Sequence, residues 1–129
     1  MTRQEAFDTT ARHLLTTGEP SYCQDEYGLT TCSYLGSGCA LRPFIPEGIE
    51  EEWEAYGSVH MVPEKLRPEY INEDIYFFRE LQRAHDGPVN AGARNWESEW
   101  LIKMRQLATR YRLDDSILDQ QQKSLTQGE

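Results

Sequence analysis

From Trp96 to Tyr111 a large apolar or small core residue returns every third or fourth position: Trp96, Trp100, Met104, Leu107, Ala108 and Tyr111. That period draws one stripe along an α-helix and fits no strand. Such a stripe cannot remain in water, so the rest of the chain must supply further apolar faces to cover it. The spacing predicts a helix over 96–112, with Asn95 as its N-cap. Leu113 to Leu118 would add a turn, and the polar, Gln-rich stretch 119–129 is expected to form a disordered tail.

Two other segments carry the same period. Phe7, Ala11, Leu14 and Leu15 predict a helix over 3–17. It opens with Thr2-Arg3-Gln4-Glu5, the pattern of a reciprocal cap between a hydroxyl and a carboxylate three residues on. Gly18 and Pro20 end it. Asn72, followed by Glu73 and Asp74, reads as the cap of a helix over 73–85 whose buried face is Ile75, Phe78, Leu81, Gln82 and His85. Asp86-Gly87-Pro88 is expected to stop that helix.

Between these helices proline keeps the elements short. Pro43 and Pro46 limit the segment opening at Cys39 to about one helical turn. Ile49, Trp53 and Tyr56, followed by Gly57, predict a short amphipathic helix over 48–56. Ser58 to Val62 reads as extended, and Pro63 and Pro68 break the next stretch into turns. Leu29 to Leu35 is rich in β-branched and aromatic residues and predicts a strand or small hairpin. The expected fold is mainly α (α+β): four or five short helices around one core, with this small β element. Its 129 residues suit one domain, placed at 1–118.

No apolar run approaches the ~20 residues that cross a bilayer. The first residues lack the apolar stretch of a secretory signal. With an odd number of cysteines, the expectation is a cytoplasmic protein with free thiols. The formal charge is −9. It argues against non-specific binding of nucleic acid or anionic lipid.

The charge is uneven. Residues 47–74 hold nine acidic and two basic side chains, whereas 75–129 hold eight of each. The densest part is Glu47, Glu50, Glu51, Glu52 and Glu54. These five are the candidate partner-binding residues, an acidic face that would steer a basic protein surface into contact. The plainer reading is a solvated helix face that keeps the chain soluble. A paired-carboxylate acid/base site fits poorly, since exposed neighbours fan around the axis without an apolar pocket. Lys103, Arg105, Arg110 and Arg112 on the last helix, with Arg94 just before it, offer a contact for phosphate that Glu97 and Glu99 dilute; the plainer reading is cations suited to a helix C-terminus.

The alternative is enzymatic. Gly36-Ser37-Gly38 permits a tight reversal ahead of Cys39, and a helical turn starting there would lower the thiol pKa. His85 with Asp86 is the best base for such a nucleophile, and His60 is second. Against this, a free cysteine usually serves as a small apolar filler. The spacings of Cys23, Cys32 and Cys39 match no common zinc pattern, so no metal or cofactor is expected. Phosphate-loop, dinucleotide, serine-hydrolase and zincin patterns are missing from the sequence. Tryptophan and tyrosine fall mostly at periodic positions and read as packing.

In order along the chain come His13-Leu14-Leu15-Thr16-Thr17-Gly18, Cys32-Ser33-Tyr34, Gly38-Cys39-Ala40, Ile45-Pro46 and Leu81-Gln82-Arg83-Ala84-His85-Asp86. With the closing Leu107-Ala108-Thr109-Arg110-Tyr111-Arg112-Leu113, this order resembles a family of small uncharacterised phage and prophage proteins. That family is marked by H-L-L-x-x-G, C-A-x-G-x-L-I-P-like and L-Q-x-x-H-D motifs. The chain departs from the pattern at Arg42-Pro43, where the family has glycine after C-A-x, and at Leu35, where it has arginine. The resemblance implies no activity. It implies a phage-type accessory protein that works in the host cytoplasm. Such a protein would bind and inhibit or modulate a host nucleic-acid-handling or defence complex, as anti-CRISPR proteins do.

Overall fold

Thr2 and Glu5 close the capping box on each other. The Glu5 amide donates to Thr2 Oγ1 and the Thr2 amide donates to Glu5 Oε1, each at 3.0 Å. Helix α1, Arg3–Thr17, follows from that start. It buries Phe7, Ala11, Leu14 and Leu15, the stripe its period drew, together with Ala6. The computed structural model describes residues 1–17, 22–24, 30–32, 40–90 and 96–119. Cys39, the Gly36-Ser37-Gly38 turn and the tail from Gln120 on lie outside the described residues.

The protein is mainly helical. After α1, strands β1 (Tyr22–Gln24) and β2 (Thr30–Cys32) pair antiparallel, with Tyr22 opposite Cys32 and Cys23 opposite Thr31. A 3-10 turn, Arg42–Phe44, is as short as Pro43 and Pro46 require. Helix α2 is Glu50–Tyr56, and two more 3-10 turns follow at Val59–Met61 and Glu64–Leu66. Helices α3 (Glu69–Asn72), α4 (Ile75–Asn90) and α5 (Trp96–Tyr111) complete the order.

The core lies where α4 packs along α5 and α1 crosses α4. Phe7, Leu14, Phe77, Leu81, Trp100 and Met104 are fully buried there, and Trp53 and Leu41 extend it toward α2. Aromatic rings meet edge to face, as their quadrupoles favour: Phe77 on Tyr111 at 5.0 Å and Phe44 on Phe78 at 5.2 Å between centroids. The Arg3 guanidinium lies 4.8 Å from the Tyr111 centroid while forking onto Asp74.

Four expectations need correction. Asn72 does not cap α4. It ends α3, and its amide donates to the Glu64 carbonyl at 3.1 Å. The Asp74 carbonyl instead accepts from the Phe77 and Phe78 amides. Nor does Gly87-Pro88 stop α4, which continues to Asn90. Packing along α5 outweighs the breaking tendency of those two residues. Ser58 to Val62 is not extended, because the buried Gln82 Oε1 accepts the Val59 amide at 2.9 Å and leaves a 3-10 turn there. Finally, Tyr56, expected on the apolar face of α2, faces water at 47% exposure.

Helix α5 ends without glycine. Arg112 adopts φ 57°, the Leu113 amide donates to the Ala108 carbonyl at 2.8 Å, and the Arg112 amide donates to the Thr109 carbonyl. This is the Schellman arrangement with a strained residue at its left-handed position. The chain then returns to α1. Gln4 holds Asp114 through both polar ends of its amide, donating to the Asp114 carbonyl at 2.9 Å and accepting the Asp114 amide at 2.8 Å. Leu118 is buried beyond that tie.

Candidate functional site in the cleft between α4 and α5

Each segment singled out in the sequence has a definite place, beginning with the acidic one. Trp53 is fully buried and its indole N–H donates to the Leu66 carbonyl at 3.0 Å, which fixes α2 on the core. Three of the five glutamates then face water: Glu47, Glu51 and Glu52. Glu50 is turned back onto the protein. It accepts the Gly48 amide at 3.1 Å and lies 3.6 Å from Arg42. Backbone hydrogen bonds, the one at its own amide foremost, hold its carboxyl below the usual glutamate range. Glu54 is half-buried. Glu50, Glu51 and Glu52 also form the first turn of α2, where the helix dipole favours negative charge.

The thiol-enzyme residues are partly brought together. His85 Nδ1 lies 3.0 Å from Asp86 Oδ1, a contact that can orient an imidazole and select its tautomer. The His85 ring is fully buried in the core, between α4 and its neighbours, rather than at a mouth. Cys39 lies outside the described residues, so its distance to His85 has no value. His60 is exposed on the Val59–Met61 turn. Among the described residues no three His, Cys, Asp or Glu side chains gather to hold a metal ion. Among them, too, no helix is long and apolar enough to cross a membrane.

A further concavity lies elsewhere among the described residues. A cleft of about 590 Å³ runs between α4 and α5, within the ~300–1,000 Å³ usual for small-molecule sites. Helix α4 contributes Glu80, Arg83, Ala84 and Asp86, and α5 contributes Lys103, Gln106, Leu107 and Arg110. Ser58 joins from the turn ahead of Val59. Positions 103, 106, 107 and 110 share one face of α5, and 80, 83 and 84 share one face of α4.

The charges in this cleft are not equivalent. Glu80 is bonded to Arg110 at 2.8 Å, and Asp86 is held against His85. Arg83 and Lys103 form no ion pair among the described residues. So both carboxylates have partners while two of the three cations do not. The potential is felt nearby. His60 titrates below the ordinary histidine range, first through burial and then through the positive charges of Arg79, Arg83 and Arg67.

Sequence reasoning missed this cleft because the cations of α5 were read on that helix alone and Arg83 was not singled out as a charge. The signal was present as two polar stripes at helical spacing, 103/106/110 and 80/83, but only the pairing of α4 with α5 makes them face. Compared with known proteins, the chain matches no family model, and no curated protein or solved structure is significantly similar to it.

Proposed function

We propose that this is a non-catalytic binding protein that docks a basic surface of a protein partner onto the acidic segment around α2. The observation that supports it is the anchoring of α2 by Trp53. That anchor leaves Glu51 and Glu52 exposed on a helix held to the core, with Glu47 exposed in the turn just before it. Preorganised carboxylates of one sign steer encounter and lose little entropy on contact. The same stretch exposes Tyr56 at 47% and Met61 at 60%, apolar area that a purely solvating face does not need. The resemblance to phage and prophage proteins suggests the kind of partner: a host nucleic-acid-handling or defence complex whose basic groove normally meets phosphate. Occupying that groove with carboxylates would inhibit it.

The test is capture from host lysate at low and high salt, followed by identification of the captured proteins. Capture should weaken steeply with salt and fail in the triple variant Glu47→Lys/Glu51→Lys/Glu52→Lys. These positions form no hydrogen bond or ion pair among the described residues, but Glu51 and Glu52 lie in the first turn of α2, so the variant should lose about 1–2 kcal/mol and still melt cooperatively. An unchanged set of partners for the triple variant overturns the reading.

A second reading, a thiol enzyme on Cys39 with His85 and Asp86, draws on the 3.0 Å His85–Asp86 contact. It requires a thiolate that alkylates rapidly at pH about 6–7. Slow alkylation of Cys39 in the folded protein removes it.

A further inference from the structure

Two positive side chains that form no ion pair among the described residues line one cleft from separate helices in a protein of net charge −9. Lys103 on α5 and Arg83 on α4 are both exposed. Their like charges repel within the cleft unless something negative lies between them. Glu80 is already bonded to Arg110, and Asp86, hydrogen-bonded to His85, keeps one negative charge on the lining, so the lining still carries one more positive than negative side chain. The Glu80 contact also fixes the Arg110 fork at the cleft wall. Gln106 adds an amide and Ser58 a hydroxyl, both able to donate to oxygen.

We propose that the α4–α5 cleft binds a small phosphorylated molecule, with Arg83 and Lys103 as the principal phosphate contacts. Guanidinium and ammonium groups are the usual partners of phosphoryl oxygens, the first as a fork and the second as a point charge. A volume of about 590 Å³ takes more than an isolated phosphate, which leaves room for the remainder of a phosphate monoester. The wall that would meet this remainder is the apolar edge formed by Ala84 and Leu107.

The proposal is independent of the acidic face, and the two fail separately. Its test is titration of the full chain with inorganic phosphate, ribose 5-phosphate and adenosine monophosphate, each against chloride at equal ionic strength. Binding is read as amide shifts in two-dimensional NMR and as a rise in melting temperature. Saturable binding in the millimolar range or tighter is expected, with a dissociation constant raised about tenfold in Arg83→Gln and in Lys103→Gln. The amides of Ser58 and Gln106 should shift with the same dissociation constant. Both substitutions lie on exposed helical positions, and an unliganded melting temperature equal to the parent's shows that the fold is intact. Tighter binding of the esters than of phosphate places the source among phosphorylated metabolites. Equal binding makes the site one for free phosphate. No saturable shift with any of the three, or binding undiminished in both variants, overturns the proposal.

Discussion

The acidic segment around α2 and the cleft between α4 and α5 carry similar densities of charged side chains, yet what each offers to a partner is opposite. Around α2 the structure removes negative charge from the surface: Glu50 is turned onto Arg42 and the Gly48 amide. In the cleft it again ties up the carboxylates, Glu80 on Arg110 and Asp86 on His85, but there the cations Arg83 and Lys103 are left over. Formal charge along a chain therefore differs from charge available for recognition. Residues 47–74, of net −7, present six exposed glutamates, only three of them around α2, and a segment of net zero presents a positive cleft.

The two regions also differ in how they are held, which gives the largest expected effects. Trp100, at the centre of the helical core, and Trp53, beneath α2, are both fully buried. Truncation of either to alanine should cost about 3–5 kcal/mol. If the acidic face is as rigid as its Trp53 anchor suggests, Trp53→Ala should also speed hydrogen exchange of the α2 amides well beyond the global change. Trp100→Ala should speed exchange across α4 and α5 together. Equal exchange patterns in the two variants would erase the distinction between a satellite element and the core.

A smaller effect of opposite sign is expected at the end of α5. Arg112 occupies a left-handed conformation that glycine adopts without strain. Arg112→Gly should stabilise the protein by about 0.5–1 kcal/mol in denaturant melts. Because the cap lies just beyond Arg110, phosphate binding in the cleft should be unchanged. Loss of binding in this variant would show that the C-terminal turn, and not only the α4–α5 stripe, shapes the site.

The smallest effect is a titration. The folded pKa of His60 lies below its ordinary value of 6.5. The unfolded chain therefore binds the proton more readily, and His60 detracts from stability as pH falls through 6.5 toward the folded value. Its proton-detected titration should move up when Arg83 or Arg79 is made neutral, and up again when phosphate fills the cleft. No movement in Arg83→Gln would mean that burial alone sets the shift and that little positive potential reaches His60 from Arg83.

Much of the scaffold could be read from the residues. The capping box at Thr2 and Glu5, the apolar stripe of α1, the tryptophan-bearing α5 and the short elements between prolines all follow from interactions within a few residues. Where reading failed, a distant partner had intervened. Asn72 was drawn to the Glu64 carbonyl instead of capping α4, the Val59 amide to Gln82, and α4 continued past Gly87-Pro88 along its neighbour. The candidate site was hardly legible. Glu47, Glu51 and Glu52 were marked as surface charges, but the cleft needed two stripes on separate helices to meet.

The sequence by itself determined the three long helices and, for α1 and α5, where they begin, since caps and apolar periods act over one or two turns. Only the tertiary structure decided which charges are already answered. Arg3 finds Asp74 71 residues away, Arg110 finds Glu80 30 away, and Gln4 finds Asp114 110 away. Electrostatic pairing depends on distance in space, and no local pattern encodes the approach of segments so far apart along the chain.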